Sequence, residues 1–334
     1  MVPLPHAKDV KHLGTLLKLA ATVALIWFVF TRVNFAELTS KLTLRQIAIA
    51  LASGVATLSL QAIIAAMRLR YCVRLLDHKI RMRDSWIACQ YGGFFSHTPI
   101  SFLGGDAMRV WYMVRIGLPL AESAKAALVD RALGFFSMMT LVILSAPALY
   151  GAIKDPRMWV GYLVLLGIGI AATGLFFLLG RFGPIASHRP RTVRRIAEFA
   201  TISKYLSAHP ERSFKAFVFG LAVTSLNVLA IWTISVGYAN DIGLLTTFAA
   251  APVVFLIAMV PISVAGWGLR EGAFVVAFGL FGVPAALALT VSITFGIALL
   301  LAYSPAALLI VLAKRRDASA TKAGGYAPAS SRPQ

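Results

Sequence analysis

Pro99-Ile-Ser-Phe-Leu-Gly-Gly-Asp-Ala-Met-Arg109 and Pro261-Ile-Ser-Val-Ala-Gly-Trp-Gly-Leu-Arg270 are two versions of one phrase. Each opens on Pro-Ile-Ser, places a glycine five residues after the proline and closes on an arginine. Each interrupts apolar sequence, follows two apolar runs and precedes one. Broken segments at matching positions of two halves mark a membrane domain built as an internal repeat, with its site at the breaks.

Composition agrees with a membrane setting. Hydrophobic residues make up 59% of the 334 residues and charged residues 13%, and the mean hydropathy is +0.79. A soluble domain carries about 25% charge. A soluble enzyme, a disordered chain and a secreted disulfide scaffold are therefore excluded. The two cysteines, Cys72 and Cys89, are read as structural. The net charge of +19 lies in short runs between apolar spans, which points to cytoplasmic loops against anionic lipid rather than to nucleic acid.

A spanning helix needs about 20 apolar residues. Six runs qualify: Leu13–Thr31, Ile47–Met67, Ala126–Tyr150, Met158–Gly180, Ala216–Asn240 and Ala285–Ala313. Lys8 and Lys11 precede the first, but no small-residue cleavage site follows, so it is read as a retained helix. The basic runs after Met67 (with Cys72 among them), after Gly180 and after Ala313 place three loops in the cytoplasm, and both termini with them.

Two stretches remain, Ser85–Lys125 and Ile242–Pro284. Parity requires each to cross zero or two times. In the first, Asp106, Arg109, Arg115, Glu122 and Lys125 would burden a second crossing. The second carries only Arg270 and Glu271, so two crossings stay open there. The matching phrases favour two opposed re-entrant helical hairpins. The expected fold is thus an all-α polytopic membrane protein with about six full spans and two hairpins in an inverted repeat. Residues 1–12 form a cytoplasmic N-terminus. Residues 13–313 form one domain, with pseudo-repeats 13–150 and 158–313 and a basic cytoplasmic loop over 181–213. Residues 314–334 form a disordered cytoplasmic tail. The stretch Arg189–Ala208 reads equally as an amphipathic helix on the inner leaflet or as a solvated linker.

Irregular backbone deep in a membrane faces protein or a watery cavity. Gly104, Gly105, Gly266 and Gly268 permit reversal and close approach there. Arg109 and Arg270 each present a planar fork that suits phosphate, and free N–H groups of a restarting helix help. These arginines and glycines are the candidate lipid-headgroup site, with Asp106 and Glu271 orienting the arginines. Arg109 can instead pair with Asp106 on one helix face. Arg270 and Glu271 are adjacent and should need other partners. Asp130 and Arg131 are supporting residues, facing Arg109 and Asp106 or merely capping a span. Ser101, Ser263 and Trp267 are also supporting, and Trp267 could narrow the cavity or stack on a ring. Gln61 and Asn227 are candidates for interhelical hydrogen bonds. No Walker loop, nucleophile elbow or metal-ligand spacing is present, so no cofactor and no metal are expected.

At these residues the sequence resembles a family. Gly104-Gly105-Asp106-Ala-Met-Arg109, Asp130-Arg131-x-x-Gly134 and Pro261-x-Ser263-x-x-Gly266-x-Gly268-x-Arg270-Glu271-Gly272 are similar to the lysylphosphatidylglycerol synthase transmembrane region, also called the flippase-like domain family. The resemblance covers roughly residues 10 to 315. It implies lipid translocation across a bacterial-type cytoplasmic membrane, with the cargo open among phospholipids, hopanoid lipids and lipid-linked glycans. The tail leaves no room for the catalytic domain of two-part members, so synthase activity is not expected.

Three functions follow as expectations. The first is a lipid translocase that hydrolyses no ATP and is not an enzyme. The second is a non-catalytic partner of a lipid, hopanoid or glycan synthase. The third is a membrane transferase with Asp106, Asp130 or Glu271 as base. Membrane lipids are the expected partners, and a homo-oligomer is compatible with the sequence.

Overall fold

A computed structural model describes residues 42–97, 104–181, 201–240, 242–259 and 268–306. The predicted span Leu13–Thr31, the loop arginines 189–195, the tail, and the site residues Ser101, Ser263, Gly266 and Trp267 lie outside the described residues.

The described chain is helical. Its helices are α1 (Leu44–Leu75), α2 (Met82–His97), α3 (Gly104–Arg115), α4 (Leu120–Ala152), α5 (Pro156–Arg181), α6 (Pro210–Gly237), α7 (Leu244–Ala258), α8 (Leu269–Gly279) and α9 (Ala285–Ala302). Five of them, α1, α4, α5, α6 and α9, are long and apolar enough to cross a membrane. They coincide with five of the six predicted spans. The chain is a polytopic all-α membrane protein.

Local chemistry sets the ends. Thr43 starts α1 with a capping box: its hydroxyl accepts the Gln46 N–H, and the Gln46 side chain accepts the Thr43 N–H. Pro210 opens α6 at a position where its missing N–H costs nothing. Pro119 and Pro284 precede α4 and α9. The two Pro-Ile-Ser stretches fall between short helices. α2, α3, α7 and α8 have 16, 12, 15 and 11 residues, too few to span alone. The second helix of each pair starts at a glycine in the left-handed region, Gly104 at φ +60° and Gly268 at φ +89°.

Packing repeats across the two halves. Exchanging α1 with α6, α2 with α7, α3 with α8 and α4 with α9 maps each substantial packing among these eight helices onto another one. The α1–α6 contact, the most extensive, maps onto itself. α5 packs on α4, and Val160 and Ile168 stand exposed on it as lipid-facing groups would. Ala50, Leu58, Ile231, Ile234, Phe274, Phe278 and Phe295 share the largest apolar core, between α1, α6, α8 and α9.

Three boundaries differ from the sequence reading, and part of one stretch it left open is helical. α1 does not stop at Met67 but continues through Arg68, Arg70 and Cys72, which therefore lie on a helix and not in a loop. The chain turns at 116–119, so Glu122 and Lys125 belong to α4 and not to the first broken stretch. α9 ends at Ala302 and the chain turns before Pro305. Residues 201–208 are helical, and Ile202 and Leu206 bury against Cys72, Leu75 and Val129.

Candidate functional site

Asp130 lies on α4 with its side chain 4% exposed. Three cationic donors converge on it. Arg68 on α1 gives Nε to Oδ1 at 2.7 Å and Nη2 to Oδ2 at 3.0 Å. Arg109 on α3 gives Nη1 to Oδ2 at 2.7 Å. Arg109 also lies 3.9 Å from Asp106, one turn back on its own helix. The other oxygen of that carboxylate accepts Nε of Arg131. Arg109–Asp130 and Arg131–Asp106 thus fasten α3 to α4 by two crossed pairs from two of the sequence motifs.

Glycine sets how closely these parts approach. A Cβ at Gly105 would collide with the backbone carbonyl of Gly92, so α2 and α3 cross nearly in backbone contact. A Cβ on Gly92 would stand 2.9 Å from Arg109 Nε. One on Gly134, the last residue of the second motif, would stand 3.4 Å from Arg68 Nη1. The Arg109 Nε is buried and has no hydrogen-bond partner among the described residues.

The second broken stretch builds differently. Glu271 sits in the first turn of α8, and its Oε2 accepts the Gly268 N–H at 2.6 Å. Its Oε1 accepts Nε and Nη2 of Arg270 at 3.1 and 2.5 Å, with Ser292 Oγ of α9 at 3.4 Å. The expectation that Arg270 and Glu271 could not meet is therefore corrected. It assumed regular helix on both sides. Here the left-handed Gly268 starts the helix, Glu271 folds back to cap it with Oε2, and the long Arg270 side chain reaches round to the other oxygen, Oε1. Gly296 of α9 leaves the room: a Cβ there would stand 2.5 Å from Arg270 Nη2. The guanidinium lies 6.0 Å from the Phe295 ring centre.

α9 links the two clusters. Gly296 backs Arg270, and one to two turns on Tyr303 packs against Gly93, the neighbour of the glycine that seats Arg109. The Tyr303 hydroxyl donates to Gln61 Oε1 on α1 at 3.0 Å, and its ring centre is 6.0 Å from that of His97. A polar seam therefore runs through the packed helices. Among the described residues no three His, Cys, Asp or Glu side chains gather as a metal ion would require.

The described candidates fall into two groups. Arg109, Asp106, Asp130, Arg131, Gly104 and Gly105 come together at α3 and α4. Arg270, Glu271 and Gly268 come together at the start of α8. Arg68 was missing from the sequence reading, which had placed it in a cytoplasmic loop. Its signal was the spacing Gln61, Ala65, Arg68, Cys72, one stripe of a helix.

The arrangement can hold an anion. Guanidinium forks can meet an oxyanion such as phosphate with charge-assisted, paired hydrogen bonds. The model of the family described as Lysylphosphatidylglycerol synthase TM region matches residues 15–307. No curated protein matches the chain.

Proposed function

The chain belongs to the lysylphosphatidylglycerol synthase TM region family, and from that premise we propose that it is a membrane lipid translocase. It moves an anionic or polar-headed lipid across a bacterial-type cytoplasmic membrane without hydrolysing ATP, and it makes no new lipid. The two helix-break-helix pairs are re-entrant hairpins, opposed across the membrane as halves of an inverted repeat, with both termini in the cytoplasm. The exchange symmetry of the helix packing supports this reading. Arg109 and Arg270 take the headgroup phosphate from opposite sides, with glycine N–H groups at the breaks. Asp106 and Glu271 orient them, and Asp130 and Arg131 hold α3 in place.

The observation that carries the reading is the buried positive cluster at the first break. Arg68 and Arg109 share one carboxylate, and intramembrane ionisable groups are functional by default. The test is lipid scrambling in reconstituted vesicles, comparing fluorescent phosphatidylglycerol with a neutral lipid. Fast translocation by the wild type, abolished in Arg109→Ala and in Arg270→Ala, is the expected result. No translocation of any headgroup by folded protein would overturn the proposal.

A second reading has one observation in its favour. A cleft of about 420 Å³ between the end of α1 and the start of α6 is lined by Arg74, Lys79, Arg212 and Lys215 against Asp77 and Glu211. That basic cleft suits an acidic segment of a partner lipid, hopanoid or glycan synthase. Such a partner would be retained by wild type and lost on Arg212→Glu, with hairpin substitutions neutral.

A further inference from the structure

Arg68 lies outside both Pro-Ile-Ser stretches and outside all three motifs. It sits on α1, on the stripe that carries buried Gln61, Ala65 and Cys72. Its two donors occupy both oxygens of Asp130, which leaves Arg109 one shared oxygen. The side chains of Arg68, Arg109 and Asp130 are 11, 15 and 4% exposed. Two guanidiniums against one carboxylate leave this cluster at net +1. Asp106 also pairs with Arg109 at 3.9 Å, but Arg131 matches its charge, so counting that pair as well leaves the sum at +1.

A net charge inside a membrane domain is unfavourable unless something offsets it. The cluster also carries a buried donor with no partner among the described residues, Arg109 Nε, which adds to that cost. One bound monoanion would remove both deficits. The backbone at Gly92 and at Gly134 lies close against Arg109 and Arg68, where a side chain would crowd the guanidinium.

We infer that Arg68, Asp130 and Arg109 form an anion site whose charge is set to take one singly charged phosphate diester, with Arg68 as a binding residue. The inference rests on the translocase reading for the nature of the cargo. Paired guanidinium forks select an oxyanion. A phosphate monoester, with charge of about −1.5 to −2, would overshoot the cluster. A diester matches it. Asp130 sets the count, and Arg68 keeps Asp130 from neutralising Arg109 completely.

The test is equilibrium binding of dioctanoyl phosphatidylglycerol to the purified protein in non-ionic detergent. Arg68→Gln brings the cluster to zero and should weaken binding about tenfold or more. Asp130→Asn brings it to +2 and should tighten binding by about the same factor. The double variant returns to +1 and should bind within about threefold of wild type. A purely structural role for these residues predicts weaker binding in both single variants. Single variants that move affinity the same way, or leave it unchanged, overturn the inference. If Arg68→Gln does not fold, tightening in Asp130→Asn and its reversal in the double variant decide the matter. Dioctanoyl phosphatidic acid binding wild type more tightly than the diester would also overturn it. Binding of the lipid but not of glycerophosphoglycerol assigns a lipid headgroup, and equal binding of both assigns a free diester. Vesicles that fail to scramble while this pattern holds would sink translocation and leave the site. Scrambling that Arg68→Gln leaves untouched, with unchanged affinity, would do the reverse.

Discussion

Arg109 on α3 and Asp130 on α4 are joined by a 2.7 Å hydrogen bond between side chains that are 15% and 4% exposed. The bond ties the short helix after the first break to the long span behind it. Arg68 reaches the same carboxylate from α1, so three helices meet at one oxygen pair.

Removing that carboxylate should leave two buried guanidiniums without their shared acceptor. Asp130→Ala is therefore expected to cost about 3–5 kcal/mol, the usual penalty for breaking a buried pair from one side. Asp130→Asn loses the same charge but keeps one acceptor oxygen, so it should lose somewhat less. Thermal unfolding in detergent would rank the two. Equal, small losses would mean that the tie carries little.

The glycines make a graded set. Gly105→Ala drives a Cβ into the Gly92 carbonyl, a backbone group that cannot swing aside. Gly296→Ala drives one to 2.5 Å from an arginine pinned by Glu271. Losses of about 1–3 kcal/mol or more are expected. Gly167→Ala, in lipid-facing α5, meets nothing within 4 Å and should gain up to about 1 kcal/mol from helix propensity. Melting temperatures falling for the first two and holding or rising for the third are the expected outcome. A uniform response would contradict the close crossings.

Much of the fold was legible before the structure. The uncharged run within α5 could be nothing but a span, and the Pro-Ile-Ser stretches fell at the breaks between paired short helices. The pairings Arg109–Asp130 and Arg131–Asp106 were also offered by the sequence, because the motifs carry complementary charges. Arg68 was not legible, because a run of arginines after an apolar span reads as a loop under the positive-inside rule. Only the continuation of α1 to Leu75 turned it inward. Arg270 and Glu271 misled for a related reason. Adjacent residues on a helix diverge, but Glu271 folds back onto the Gly268 N–H and the long Arg270 side chain reaches round to its carboxylate.

Sidedness gives a third expectation. Asp77, between α1 and α2, and Asn240, between α6 and α7, should face opposite sides, with Asp77 inside. Both native thiols are buried, Cys72 at 0% and Cys89 at 3% exposure, so they should stay unlabelled. In inside-out vesicles a membrane-impermeant thiol reagent should modify Asp77→Cys and spare Asn240→Cys, with the reverse in intact cells. Leu269→Cys, at the start of α8, should resist the reagent from both sides if that pair re-enters the membrane. Ready modification of it from the cytoplasm would instead mean two crossings.

The Tyr303–Gln61 bond supplies the last expectation. It joins α9 to α1 in the buried seam between the two charged clusters. Tyr303→Phe removes the donor and keeps the ring against Gly93 and His97, so the packing survives. The loss should be about 0.5–1.5 kcal/mol, that of one neutral hydrogen bond. Gln61→Leu removes the acceptor and strands the hydroxyl, at about 1–3 kcal/mol. Because both act on one bond, the double variant should lose less than the two losses summed, by about 0.5 kcal/mol or more. A double-mutant cycle on unfolding free energies measures that difference. Strict additivity would mean that the two side chains contribute independently, and that the seam between the halves is held by packing alone.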